Sequence, residues 1–224
     1  MASALLRYTH LTTRQVRALI RLFALEVPAT RAAHELGVNR HTAERCYTRI
    51  RQVLAQACEA EARLEGEVEV DESYFGGHRK FLRGRAVQGK VVVFGLLKRR
   101  GRVYTRPVPN VTRAVLRRII RQKVPRGSTI YSDSFRSYDG LLTEGYRHYR
   151  IPHERTFATT RRRHINGIEN FWGFAKTTLR RYYGVRRSHF VLYLKEMKFR
   201  FNHRHEDLPL LIERFLKKAS QNLD

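Results

Sequence analysis

The chain is poor in cysteine, in acids and in long apolar runs, and each shortage closes off a class of function. Its two cysteines, Cys46 and Cys58, have no CxxC partner. Neither a zinc ribbon nor a disulfide framework is therefore indicated, and both read as reduced core thiols of a cytoplasmic protein. No run of about 20 apolar residues is present, so no segment reads as a membrane-spanning helix. The opening MASALLRYTHL has too short an apolar stretch for a secretory signal. Acids number 20 against 45 Lys and Arg, a formal net charge of +25. That surplus runs along the whole chain instead of collecting on one helix, which favours the phosphates of nucleic acid over a lipid surface. Hydrophobic residues make up 42%, enough for a packed core. There is no internal repeat and no low-complexity tract.

What is there divides into two regions. Residues 1–62 read as helical. Thr12 with Gln15 three residues on is a capping-box start, and Pro28 opens a short helix that runs to Leu36. Gly37 makes a turn and Asn39 caps a further helix to about Cys58. Small or apolar residues at Ala33, Gly37, Val38, Ala43 and Cys46 allow two helices to cross closely, the pattern of a helix-turn-helix. Its second helix presents Asn39, Arg40, His41, Glu44 and Arg45 as candidate DNA contacts; a plain helical hairpin with a solvated face is the structural alternative.

After Gly66 the period changes to alternation. VEVDESYF reads as a strand, and KVVVFGLLKR as a strand buried on both faces. RVYTRPVP forms a hairpin with it through the turn at Gly101. Thr112 caps a helix with Val115, Leu116, Ile119 and Ile120 inward. STIYSD and YRHYRI are further strands, and a loop over residues 152–163 leads to the helix HINGIENFWGFAKTTLRR. A last amphipathic helix carries Tyr193, Leu194, Met197 and Phe201. The order β-β-β-α-β-α-β-α describes a mixed α/β domain.

Three acids stand where chemistry would need them. Asp71 closes the alternating run of the first strand, Asp133 ends the fourth, and strand ends in α/β sheets line the ligand crevice. Carboxylates there can share hard cations such as Mg²⁺. Glu169 lies beside the buried stripe Ile168, Phe171, Trp172, Ala175 and Leu179, with Gly173, Lys176 and Arg180 along its own stripe. Lys176 is placed to hold a phosphate. The structural alternatives are an edge acid for Asp71, like Glu67 and Glu69, a helix N-cap for Asp133, and an ion pair with Arg162 or Lys176 for Glu169. Glu72 points to the opposite face and is the weaker candidate. Among the histidines near this region, His148, His153 and His164, the last is the best placed.

At these residues the sequence resembles insertion-sequence transposases with an RNase-H-like Asp–Asp–Glu core, in particular insertion-sequence family number 1595. The matching segments are VEVDESYFGG, KVVVFGLLKR, GSTIYSDSFRSYDGL, HINGIENFWGFAKTTL and KEMKFRFNHR, in order across residues 66–204. The resemblance implies that Asp71, Asp133 and Glu169 hold two Mg²⁺ ions, with Mn²⁺ as a substitute, and that Lys176 is the basic residue after the third acid. Some relatives use Asn for that acid, which keeps Asn166 and Asn170 as rivals. Many carry a zinc ribbon, for which this chain lacks the cysteines.

The expected protein is thus a prokaryotic, nucleoid-associated transposase. A helix-turn-helix at 1–62 reads terminal inverted repeats, a catalytic domain at 66–204 cleaves and transfers strands, and 205–224 is a helical tail. Double-stranded DNA, at element ends and target, is the partner, and pairing two ends implies a homodimer or larger assembly. The rival readings are a non-catalytic DNA-binding regulator derived from a transposase, a recombinase using Tyr182 or Tyr183 as nucleophile, and a plain RNase-H-type nuclease.

Overall fold

Thr12 and Gln15 close the expected capping box, each side chain accepting from the other's backbone N–H, at 3.2 and 3.0 Å, and α1 (Thr13–Ala24) begins there. The computed structural model describes residues 10–59, 63–76, 90–151, 164–182 and 184–221. The expected loop at 152–163, with His153 and Arg162 in it, lies outside them, as does Tyr183. α2 (Ala29–Leu36) ends at Gly37, whose φ of +60° is left-handed. Val38 N–H then reaches Ala33 O at 3.0 Å and Gly37 N–H reaches His34 O at 3.3 Å, a Schellman motif. Asn39 caps α3 (Arg40–Glu59), its Oδ1 accepting from His41 N–H at 2.8 Å.

The strands are β1 (Glu67–Phe75), β2 (Val91–Lys98), β3 (Val103–Val108), β4 (Thr129–Asp133) and β5 (Arg147–Ile151), with α4 (Arg113–Lys123) between β3 and β4. They form one sheet in the order β3-β2-β1-β4-β5. β1–β2 and β2–β3 are antiparallel, while β1–β4 and β4–β5 are parallel. This is a mixed sheet, in keeping with the mixed α/β domain expected from the element order. β2 is buried from Val92 to Leu97, as its continuous apolar run requires. One face packs on α4: Val68, Val70, Phe94, Leu96 and Ile130 meet Leu116, Ile119, Ile120 and Tyr138. Each such side chain stabilises the fold by about 1.5–3 kcal/mol. The other face carries α5 (Asn166–Arg180), which packs on β1 and β2.

Three expectations change. β1 runs on to Phe75 in the centre of the sheet, so Asp71 lies inside the strand instead of at its end, and the alternative of an edge acid falls away. The helix expected between β4 and β5 is two single 3-10 turns, Arg136–Tyr138 and Leu142–Glu144, because Gly140 at φ +82° and Gly145 at φ +86° break the segment. Thr112 stands at the N-cap of α4 without a capping bond from its side chain; its hydroxyl donates to Asn110 Oδ1 at 2.8 Å.

By contacts the chain forms two units, Ala62–Arg181 around the sheet and Met1–Glu61 with Tyr182–Asp224. The helical unit includes α6 (Phe190–Asn202) and α7 (Leu208–Gln221). Its core joins Val16, Leu19, Ile20, Phe23, Ala43, Ile50 and Leu54 to Phe199, Ile212 and Leu216. The region expected as catalytic, 66–204, therefore extends into the helical unit, and α7, within the stretch expected as a tail, supplies a core helix to it. Among the described residues no helix is long and apolar enough to cross a membrane.

Candidate functional site

The β1–β4 ladder covers three pairs, from Glu67–Thr129 to Glu69–Tyr131. Continuing that register sets Asp71 level with Asp133, just past the point where the ladder ends. Alternation puts both side chains on the face that α5 covers. Asp71 Oδ2 accepts a hydrogen bond from Trp172 Nε1 at 3.0 Å, and Asp133 Oδ1 accepts from Phe135 N–H at 3.0 Å. The indole comes this close because its sheet neighbour is Gly95, the β2 partner of Asp71. A Cβ there would stand 2.5 Å from Trp172 Cζ2 and 2.9 Å from Ile168 Cδ1.

Electrostatics mark the same place. Burial, then the charges of Glu72 and Asp133, push the Asp71 carboxyl up to about 7, against hydrogen bonds from backbone and Trp172 that favour the charged form. Glu72 lies on the α4 face, as expected, yet it belongs to the cluster. Its Oε2 accepts from Tyr138 Oη–H at 2.6 Å, and burial first, then Asp133, raise it. Burial and these acids hold the Tyr138 phenol well above its ordinary value. Two oxygen donors at matched strand positions, with mutual repulsion that an added positive charge relieves, suit a hard divalent cation. Among the described residues, no three His, Cys, Asp or Glu side chains already stand together as a metal-holding group.

Glu169 is exposed on the first turn of α5, three residues before Trp172. Asn166 and Asn170 are exposed beside it. Lys176 is exposed one turn beyond Trp172, its Nζ 5.9 Å from the centre of the Phe75 ring, and Arg180 is exposed at the end of the helix. The structure thus gathers Asp71, Glu72 and Asp133, and it sets Glu169 and Lys176 on the helix bonded to Asp71. Two partners escaped the sequence reading. Trp172 was read as packing alone, although a buried indole N–H asks for an acceptor. Tyr138 gave no signal beyond its place in the segment after Asp133. His148 pairs with Ser132 Oγ at 2.8 Å, and burial lowers its pKa. His164 Nδ1 lies 3.5 Å from Glu69 Oε1.

At the start of α3, Asn39, Arg40, His41 and Arg45 are all exposed. Arg40 Nε meets Glu44 Oε1 at 2.8 Å, and His41 Nδ1 lies 3.7 Å from Glu44 Oε2. Exposed pairs of this kind are worth at most about 1 kcal/mol.

Residues 63–202 match the ISXO2-like transposase domain. The chain belongs to this transposase family. A relative in Haemophilus influenzae, named an uncharacterized transposase-like protein, is 45% identical over 119 residues, which are 53% of this chain and 96% of that one. Among solved structures, the catalytic core domain of BIV integrase aligns with 70% of this chain and 98% of its own, at 12% identity and a TM-score of 0.39. A Mos1 transposase paired-end complex with left transposon end aligns with 94% of this chain and 80% of its own, at 12% identity and a TM-score of 0.31. The family match covers the sheet unit from residue 63 onward and continues through α6.

Proposed function

We propose that this ISXO2-like chain is a DNA transposase that binds the terminal inverted repeats of its element and catalyses metal-dependent strand cleavage and strand transfer. The observation that carries the reading is the level placement of Asp71 and Asp133 on neighbouring parallel strands, with α5 bonded to Asp71 through Trp172. Asp71, Asp133 and Glu169 are the residues that would hold Mg²⁺ or Mn²⁺. When bound, two such ions supply a nucleophile at neutral pH and charge stabilisation for in-line displacement at phosphorus. Trp172 occupies one oxygen of Asp71 and so orients the other. Lys176 and Arg180, exposed along α5, take up backbone phosphate charge beside the acids. Asn39, Arg40, His41 and Arg45 at the start of α3 read the element end, in the manner of a recognition helix.

The test uses DNA from the element's ends, labelled on one strand, with full-length protein and Mg²⁺ or Mn²⁺. Wild type cleaves at the end. Asp133→Asn binds the same DNA but cleaves slower by a factor on the order of a thousand. Arg40→Ala with Arg45→Ala weakens end binding while salt-sensitive nonspecific binding persists. Normal cleavage by Asp133→Asn would remove the site assignment, and undiminished end binding by the arginine variant would remove the helix-turn-helix from end recognition.

A further inference from the structure

Two residues before Asp71, on the same face of β1, Glu69 is only 1% exposed. A buried carboxylate needs hydrogen-bond partners, and those of Glu69 are specific. Its Oε1 accepts from Arg99 Nε at 3.0 Å, and its Oε2 accepts from the backbone N–H of Ile168 at 3.0 Å. The Ile168 amide is one of the first-turn donors that a helix cannot satisfy internally, and Ile165, at the N-cap of α5, supplies no side-chain cap. The strand acid therefore caps the helix from outside.

Arg99 is itself held from several sides. Its second terminal nitrogen donates to His164 O at 2.5 Å and its first to Glu67 Oε1 at 3.4 Å. Its guanidinium lies 3.6 Å over the Tyr131 ring, and the Tyr131 hydroxyl donates to Glu67 Oε1 at 2.6 Å. Gly167 lets α5 come this near. A Cβ there would stand 2.6 Å from Leu97 Cδ2 and 2.8 Å from Glu69 Oε2.

The spacing of these bonds matches that of the elements they join. Glu69 holds Ile168, and Asp71 holds Trp172. Two steps along a strand cover about 6.6 Å, and four along a helix about 6 Å. Strand and helix are therefore tied at two points one helical turn apart, with Glu169 between them.

We propose that Glu69, clamped by Arg99, is a positioning residue that fixes the first turn of α5 on β1 and so sets where Glu169 stands relative to Asp71 and Asp133. This rests on the reading of those three acids as a metal site. A purely structural ion pair would affect stability alone, whereas a positioning residue also affects cation affinity. The full-length variants Glu69→Gln and Gly167→Ala are compared with Leu116→Ala, a core change on the opposite face of the sheet. Two quantities are read under conditions where each variant is folded: Mn²⁺ affinity by electron paramagnetic resonance titration, and hydrogen exchange of the Ile168 amide by NMR. Glu69→Gln weakens Mn²⁺ binding about tenfold, as loss of a residue supporting a metal ligand does, and speeds Ile168 exchange by a similar factor. Gly167→Ala, which pushes the helix off Glu69, does the same and decides the matter if Glu69→Gln fails to fold. Leu116→Ala leaves Mn²⁺ affinity at the wild-type value. Wild-type Mn²⁺ affinity in both Glu69→Gln and Gly167→Ala overturns the proposal, as does unchanged Ile168 exchange. A wild type that binds no Mn²⁺ overturns the metal-site reading instead, and the exchange measurement still tells whether Glu69 holds α5.

Discussion

In the helical unit the Glu196 carboxylate is fully buried between two arginines. Arg51 Nε donates to it at 2.6 Å and Arg200 Nε at 2.9 Å. Arg200 goes on to Phe23 O at 2.6 Å and Ala24 O at 2.9 Å, and Arg51 lies 4.0 Å from the centre of the Tyr193 ring. In the sheet unit Asp71 sits instead between Glu72 and Asp133, and its acidity falls until its pKa reaches about 7. The Glu196 site buries an acid inside a ring of cations and carbonyls, and its charge is answered within the fold, as that of Glu69 is by Arg99. The Asp71 site collects like charges, which raises the cost of ionising them. A chain with 45 basic residues does not lack cations to place there. The difference separates charge neutralised within the fold from charge left to repel its neighbours.

Breaking the compensated side has the largest effect. Glu196→Gln leaves Arg51 and Arg200 buried without their anion and lowers stability by about 3–5 kcal/mol, read by urea unfolding. Removing charge from the other side has the opposite sign. Asp71 has a folded pKa of about 7 against an ordinary 3.8, so its contribution to stability is complete below the lower value. That contribution is lost as pH rises through the upper one. Without metal, Asp71→Asn therefore melts higher than wild type, by a margin that opens between about pH 4 and pH 7. Mg²⁺ closes the margin by stabilising wild type alone. A margin that stays flat with pH would show that Asp71 does not carry this strain. The smallest effect comes from Gly95→Ala. Its methyl group must displace Trp172, an overpacking cost of about 1–3 kcal/mol, and the indole N–H to Asp71 loosens. Quenched or shifted fluorescence from this single tryptophan reports the change directly.

Much of this was legible from local sequence. Gly37 and Asn39 announced a helix end and a helix start because a left-handed turn and an N-cap are decided by residues within one turn of each other. The run Val91–Leu97 announced a strand buried on both faces. Asp71, Asp133 and the helix of Glu169 could be put in order by spacing and resemblance. Strand order could not be read in this way. The alternation of Glu67, Glu69 and Asp71 leaves an exposed edge open as the structural alternative, whereas β1 is central and Glu69 is buried against Arg99 and the start of α5. The bonds from Trp172 to Asp71 and from Arg51 to Glu196 join residues more than a hundred positions apart. Nothing in a local pattern marks such pairs. α6 read as an ordinary amphipathic helix, but the fold also buries Lys195, Glu196, Lys198 and Arg200 on it, because the basic and acidic groups satisfy one another and nearby carbonyls.

The short ladder between β1 and β4 has a mechanical side. Asp71 is backed by the antiparallel half β3-β2-β1, whose pairing continues to Phe75–Val91, and Asp133 by the parallel half β4-β5, paired as far as Asp133–Ile151. Only three ladder pairs of backbone join the halves. That junction is a seam, and a small change of twist across it moves the two carboxylates apart or together while each half keeps its own hydrogen bonds. The gap between the acids thus opens where backbone pairing between the halves has stopped, and no ladder bond of the sheet fixes its width.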